Sequence, residues 1–151
     1  MPAAAAFKRP ESVLVVVHTP ALECLLLERA VPRGFWQSVT GSLRWGETAA
    51  ECAAREVREE TGLEPENLRD AEVRRSFPIL PEWRARYAPD VTENVEHWWY
   101  LKVPRAEPVV LSEHVAAVWL PIHAAIERVS SWTNREALQC LLKDRSGRGR
   151  P

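Results

Sequence analysis

The run VLVVV, inside Ser12 to His18 and bounded by Pro10 and Pro20, constrains the fold more than any other feature of the chain. A strand with one wet face alternates apolar and polar residues, so an unbroken β-branched stretch reads as a strand buried on both faces. Leu22 to Arg29 and Phe35 to Val39 predict two more strands, the second closed by the turn signal Thr40-Gly41. Leu68 to Phe77, Val95 to Val103 and Val115 to Leu120 predict the rest. Pro78 to Glu93 carries too many prolines for regular structure, and loops this long inside a compact domain are often functional.

The first clear helix spans Thr48 to Thr61, opened by Thr48 and Glu51 in capping-box spacing and stopped by Gly62. Ala50, Ala53, Ala54 and Val57 share one face, small enough for close packing on a sheet, and the carboxylates take the other. Ile122 to Val129 and Asn134 to Leu142 predict two late helices, the latter opened by the capping box Thr133-Asn134-Arg135-Glu136. Strands mixed with one early and two late helices give an α/β sheet covered by helices. A length of 151 residues, 46% hydrophobic, fits one domain over residues 1–143. The Gly- and Arg-rich stretch from Asp144 to Pro151 reads as a disordered tail.

The 20 Lys and Arg against 21 Asp and Glu leave a formal net charge of −1, which argues against a nucleic-acid or acidic-membrane partner. An anionic ligand must therefore be met by local charge. Cys24, Cys52 and Cys140 are scattered and odd in number, with neither CxxC pairing nor a disulfide framework, so a reducing cytoplasm is expected. Met1 to Phe7 lacks the basic region of a signal peptide, and no apolar run approaches the roughly 20 residues that span a bilayer. The four histidines form no close ligand pair.

Glu56, Glu59 and Glu60 stand at i, i+3 and i+4, neighbouring positions on a helix surface. Like charges this close repel by a few tenths of a kcal/mol per pair, and arginine or a bound cation can compensate. Arg55 and Arg58 are near enough to supply part of it. Hard carboxylate oxygens suit Mg²⁺ or Mn²⁺, and Mg²⁺ binds through a few carboxylates, waters and substrate phosphates. Taken alone, such a face also fits plain solvated surface.

The loop and helix together read GSLRWGETAAECAAREVREETGL. Gly41, Glu47, Arg55, Glu56, Val57, Glu59, Glu60, Gly62 and Leu63 fill every defined position of the pattern G-x5-E-x7-R-E-U-x-E-E-x-G-U, with U aliphatic, and on these residues the chain resembles the Nudix family. The glycines let the loop bend and the helix stop, and the aliphatic positions anchor the helix. The resemblance implies an α/β/α sandwich with a mixed β-sheet and metal-dependent hydrolysis of a diphosphate linkage. It implies Mg²⁺, with Mn²⁺ possible, on Glu56, Glu60 and Glu113, the last lying before the final strand. By the same resemblance Glu59 binds metal or activates water and Arg55 orients a glutamate, while Glu56, Glu59 and Glu113 all remain candidates for the general base.

The similarity runs from Lys8 to about Leu142. KRP at Lys8, FWQSVTGS at Phe35, RYAP at Arg86, EHWWYL at Glu96, SEH at Ser112 and SWTNREA at Ser131 resemble, in order and spacing, the branch of the family acting on dihydroneopterin triphosphate in folate synthesis. That branch releases the monophosphate and pyrophosphate. Ligand positions carried over by this resemblance are Lys8, Arg29, Thr40, Phe77, Pro78, Ile79, Leu80 and Ser131, with looser agreement from Phe77 onward. Among the seven tryptophans, Trp36, Trp45, Trp83 and Trp132 are candidates to stack on a flat ring, and Trp98, Trp99 and Trp119 are expected in the core. Arg84 and Arg86, with Trp83 and Tyr87, are candidates to close over phosphates, and the same segment also fits a plain solvated loop. Two alternatives stand beside this reading: a nucleoside triphosphate such as dATP as substrate, and an inactive Nudix-like nucleotide-sensing domain. Binding to RNA ends is weakened by the absence of a basic stripe.

Overall fold

The computed structural model describes residues 7–148, with side chains through Asp144. The VLVVV run lies in β1 (Glu11–His18), at the centre of a seven-stranded sheet, where no side chain from Val13 to Val17 is more than 1% exposed. Two-sided burial is therefore as predicted. Along one edge β1 pairs in parallel with β6 (Glu93–Lys102), which pairs in turn with the outer, antiparallel β5 (Leu68–Pro78). Along the other edge it has two partners: β4 (Val39–Ser42) lies antiparallel to its first half, and β2 (Glu23–Glu28) reaches it at His18 opposite Cys24. β2 continues to β3 (Trp36–Gln37) and β7 (Ala116–Pro121). The sheet thus forks beside β1.

Alternation along β1 divides the core between two helical layers. Val13, Val15 and Val17 pack with Leu25, Leu27 and Val39 beneath Cys52, Ala53 and Val57 of α1 (Ala49–Thr61). Leu14 and Val16 pack with Trp98 and Tyr100 beneath α2 (Ile122–Arg128) and α3 (Trp132–Arg148), through Ile122, Ala125, Ala137, Leu138 and Leu141. The predicted α/β/α sandwich with a mixed sheet is the observed architecture. Each buried Val or Leu contributes about 1.5–3 kcal/mol, far more than the few tenths lost per pair of crowded carboxylates on α1. The capping box holds the start of that helix, with Glu51 N–H donating to Thr48 Oγ1 at 3.1 Å and Thr48 N–H to Glu51 Oε1 at 2.9 Å. Gly62, at φ 75, ends it in the left-handed conformation that favours glycine.

Several boundaries differ from expectation. Thr40-Gly41 is not a turn: both residues lie inside β4, opposite Leu14 and Val13, while β3 ends at Gln37. The sheet-facing stripe of α1 is Cys52, Ala53, Val57 and Thr61, and Ala50 is exposed, because the buried cysteine acts as a small hydrophobe and turns the contact face. That rotation brings Glu56 and Glu60 to the flank of the packed face rather than opposite it. α3 begins at Trp132, with the Asn134 N–H donating to Ser131 Oγ at 3.1 Å, so Ser131 occupies the capping role expected of Thr133. α3 runs through Asp144 to Arg148, where a disordered tail was expected. The remainder of that expected tail, residues 149–151, lies outside the described residues. The proline-rich segment holds a 3₁₀ helix, Pro81–Arg86, whose first residue has its φ preset by the pyrrolidine ring. Among the described residues no helix is long and apolar enough to cross a membrane.

Candidate active site

A cleft of about 1090 Å³ opens on the α3 side of the sheet, beside the fork. Its lining draws on β1, β4, the ends of β5 and β6, the loop before β7 and the start of α3. Of the catalytic, metal and ligand positions expected from the family resemblance, all but Glu59 line it: Arg55, Glu56, Glu60 and Glu113, together with Lys8, Arg29, Thr40, Phe77, Pro78, Ile79, Leu80 and Ser131; of the loop arginines Arg86 lines it and Arg84 does not.

One wall is the flank of α1. The Arg55 guanidinium grips Glu47 with two hydrogen bonds, at 2.7 and 2.8 Å, and its Nη1 donates to Glu56 at 3.2 Å and Glu59 at 3.1 Å. The bidentate contact holds the Glu47 carboxyl down at about 2, and it fixes the arginine that also donates to Glu56. Glu59 is half-exposed and drawn between Arg55 and Arg44, outside the cleft lining.

Glu56 and Glu60 hydrogen-bond each other, and both carboxyls are pushed up, first by burial. For Glu60 the charge of Glu56 adds to the shift, and a hydrogen bond from the Thr40 backbone opposes it. Glu60 Oε1 is buried with no partner among the described residues. Two crowded acids whose ionisation is disfavoured, one with an oxygen left unsatisfied, form a donor set short of a cation. Gly41 gives Glu56 its space, because a Cβ there would coincide with the Glu56 carboxylate. Oxygen-only donors, crowded and desolvated, fit a hard divalent ion such as Mg²⁺ or Mn²⁺. Among the described residues no three His, Cys, Asp or Glu side chains close on one point. Mg²⁺ does not need such a cage, since it keeps waters and takes substrate phosphates as further ligands.

The facing side is cationic. Lys8 Nζ lies 5.9 Å from the Tyr87 ring centroid, and its pKa is lowered by burial and then by Arg86 and Arg29. Arg29 sits between the Phe35 and Trp83 rings at 5.7 and 5.4 Å. The Lys8 N–H donates to the Arg86 carbonyl at 2.8 Å, tying the start of the chain to the 3₁₀ segment. Three cations that repel one another, set across from two acids, provide the local charge a near-neutral protein needs to hold a polyphosphate.

Trp83 and Trp132 line the cleft, whereas Trp36 and Trp45 do not: Trp36 lies under Arg128, and Trp45 Nε1 donates to the Phe7 carbonyl. Trp98 and Trp99 are core residues. The lining also contains residues to which the sequence reading gave no place in the site, among them Ser12, Gln37, Asn94, Glu96, His114 and Asn134. Asn134 ties α3 to the sheet, accepting from the Ser38 N–H at 2.7 Å and donating to Ser38 Oγ at 2.9 Å. Ser131 Oγ is engaged with Thr133 and the Asn134 N–H, so its hydroxyl anchors the helix start as well as facing the cleft.

The sandwich and its carboxylate-bearing helix define the class, and the chain belongs to the Nudix family of hydrolases: a model of the NUDIX domain matches residues 8–141. It is 42% identical over 138 residues to the dihydroneopterin triphosphate diphosphatase of Escherichia coli (strain K12), covering 88% of this chain and 92% of that one. The Haemophilus influenzae protein of the same name is 38% identical over 141 residues, covering 90% of this chain and 89% of its own. The solved structure of the E. coli dihydroneopterin triphosphate pyrophosphohydrolase matches with a TM-score of 0.86 at 40% identity, over 92% of this chain and 99% of that one.

Proposed function

We propose that this Nudix hydrolase cleaves dihydroneopterin triphosphate to dihydroneopterin monophosphate and pyrophosphate, as a Mg²⁺-dependent step of folate synthesis in the cytoplasm. The observation that carries the reading is one cleft holding three things in series: paired acids on α1, a cationic side at Lys8, Arg29 and Arg86, and an aromatic and polar floor. Identity of about two residues in five to relatives named for that substrate, over nearly the whole chain, supports it.

Glu56 and Glu60 would hold the divalent ion, with Glu113 completing the set from the loop before β7. When bound, the ion supplies charge neutralisation at the phosphate oxygens and at the departing pyrophosphate. The residues of the chain do the rest. Arg55 keeps Glu56 aimed at the cleft, and Thr40 fixes Glu60 through its backbone. Lys8, Arg29 and Arg86 bind and orient the triphosphate. Phe77 to Leu80 and Ser131 border the rest of the ligand. Water adds its oxygen to one phosphorus, its proton passes to a carboxylate, and the bridging oxygen leaves with the other phosphorus. Glu113 is the candidate base that lines the cleft outside the Arg55 cluster, whereas Glu59 is held away by two arginines.

The substrate is tested by comparing kcat/KM for dihydroneopterin triphosphate with that for dATP. The pterin compound is expected to win by at least about tenfold, as befits a site built to hydrogen-bond its ring. A preference for dATP would transfer the same chemistry to nucleoside triphosphates.

A further inference from the structure

We propose that Glu96, with Asn94 beside it, reads the amide–amino edge of the substrate ring, the N–H next to an NH2 that pterins and guanine carry and adenine lacks. The inference rests on the pterin triphosphate reading above and assigns ring recognition to residues outside the phosphate and metal positions.

Asn94 and Glu96 are two apart on β6, so both side chains stand on the same face of the sheet, and both line the cleft. Both are deeply buried, at 4% and 6% exposure. Asn94 Nδ2 donates to Ser12 Oγ at 2.8 Å, and Asn94 Oδ1 is left buried with no partner among the described residues. A native chain seldom leaves such an acceptor unpaired unless something else fills the place. Glu96 Oε1 accepts from Trp98 Nε1 at 3.1 Å, and the Thr133 side chain also hydrogen-bonds the carboxylate. A carboxylate offers about four acceptor positions, so about half its capacity remains.

Among the described residues Glu96 makes no ion pair, although Arg75 is its cross-strand neighbour on β5. Arg75 lies over the Trp98 ring at 4.9 Å but is committed to Glu136 at 2.9 Å, and burial pushes the Glu96 carboxyl up. This part of the floor therefore presents acceptors, and the complementary ligand is an edge of adjacent N–H donors. Adenine would turn a ring-nitrogen lone pair toward the carboxylate beside its amino group. Trp132, half-exposed at the cleft, and Trp83 offer flat faces on which a ring can stack.

The spacing agrees. Glu96 is opposite Ser12 on β1, Ser12 is opposite Ser42 on β4, and adjacent strands lie about 4.8 Å apart, so β6 and β4 are separated by on the order of 10 Å. Thr40 of β4 holds Glu60. A strand separation of that order is one that a bicyclic ring and its three-carbon side chain can span together.

The test is Glu96→Gln, which keeps the size and an acceptor for Trp98, assayed on dihydroneopterin triphosphate, dGTP and dATP with a thermal melt to verify folding. For the two substrates with the edge, kcat/KM should fall at least about tenfold, carried by KM, while dATP changes by less than about threefold. Asn94→Ala should repeat the pattern with a smaller loss, and carries the test if the first variant does not fold. Equal losses on all three substrates would mark Glu96 as structural, and an unchanged KM for dihydroneopterin triphosphate would also overturn the proposal. Wild-type preference for dATP over dihydroneopterin triphosphate would instead sink the substrate reading, while the variant's dGTP-to-dATP ratio still decides this one. Wild-type kcat/KM for dGTP against the pterin compound separates the two sources of the edge.

Discussion

Glu60→Gln is expected to lower pyrophosphate release by roughly 10³-fold or more, the usual cost of losing a central electrostatic element of a site, and Glu56→Gln to do the same. The chain should still fold. Glu60 is buried beside Glu56 with an unpartnered oxygen, so in metal-free protein its charge is a burden on the native state. Its folded pKa lies above its ordinary value of 4.5, at about 9, because burial and the Glu56 charge disfavour ionisation. A raised folded pKa contributes stability that is fully present below the unfolded value and is lost as pH rises toward the folded one. Metal-free wild-type protein should therefore lose melting temperature between about pH 5 and 9, by several degrees, and Glu60→Gln should flatten that fall. Melts in EDTA across this range, paired with a pyrophosphate assay in Mg²⁺, check both halves. Unchanged turnover in either variant would reject the site.

Gly41→Ala should cost turnover roughly 10²-fold while altering stability little, since small misplacements of catalytic groups are punished on that scale. Gly41 sits in β4 opposite Val13 with no left-handed backbone, so alanine can adopt its conformation. The added methyl would fall on the Glu56 carboxylate, the far end of a flexible side chain that can swing aside. The fold survives and the ligand moves. Steady-state kinetics with a melting curve will separate this from unfolding: loss of activity together with a large loss of stability would mean that the glycine serves the strand and not the carboxylate.

The same glycine marks where sequence reading stops. Its place in the family pattern is plain, but a bend was the natural inference, whereas the structure uses its missing side chain for a close approach between strand and helix. The valine run, the capping box and the Gly62 stop were legible because each is a local pattern with a local cause. The face of α1 was misassigned because Cys52 was not counted among the packing residues, and that error put Glu56 and Glu60 on the wrong side of the helix. The place of Glu96 and Asn94 in the cleft was hidden for another reason. They reach the cleft through the parallel pairing of β1 with β6, which brings residues 12 and 96 together and leaves no mark in either segment alone. Asn134 and Ser38 meet across a similar gap in the chain.

At the centre of the account is the claim that Glu56 and Glu60 hold a proton between them until a divalent cation takes its place. Calorimetric titration of Mg²⁺ into metal-free protein near pH 7.5, in buffers of differing ionisation enthalpy, measures that exchange directly. Binding should release about one proton per ion in the wild type and almost none in Glu60→Gln, whose affinity for the ion should fall sharply. Equal Mg²⁺ binding by both proteins, with no proton released by either, would contradict the claim.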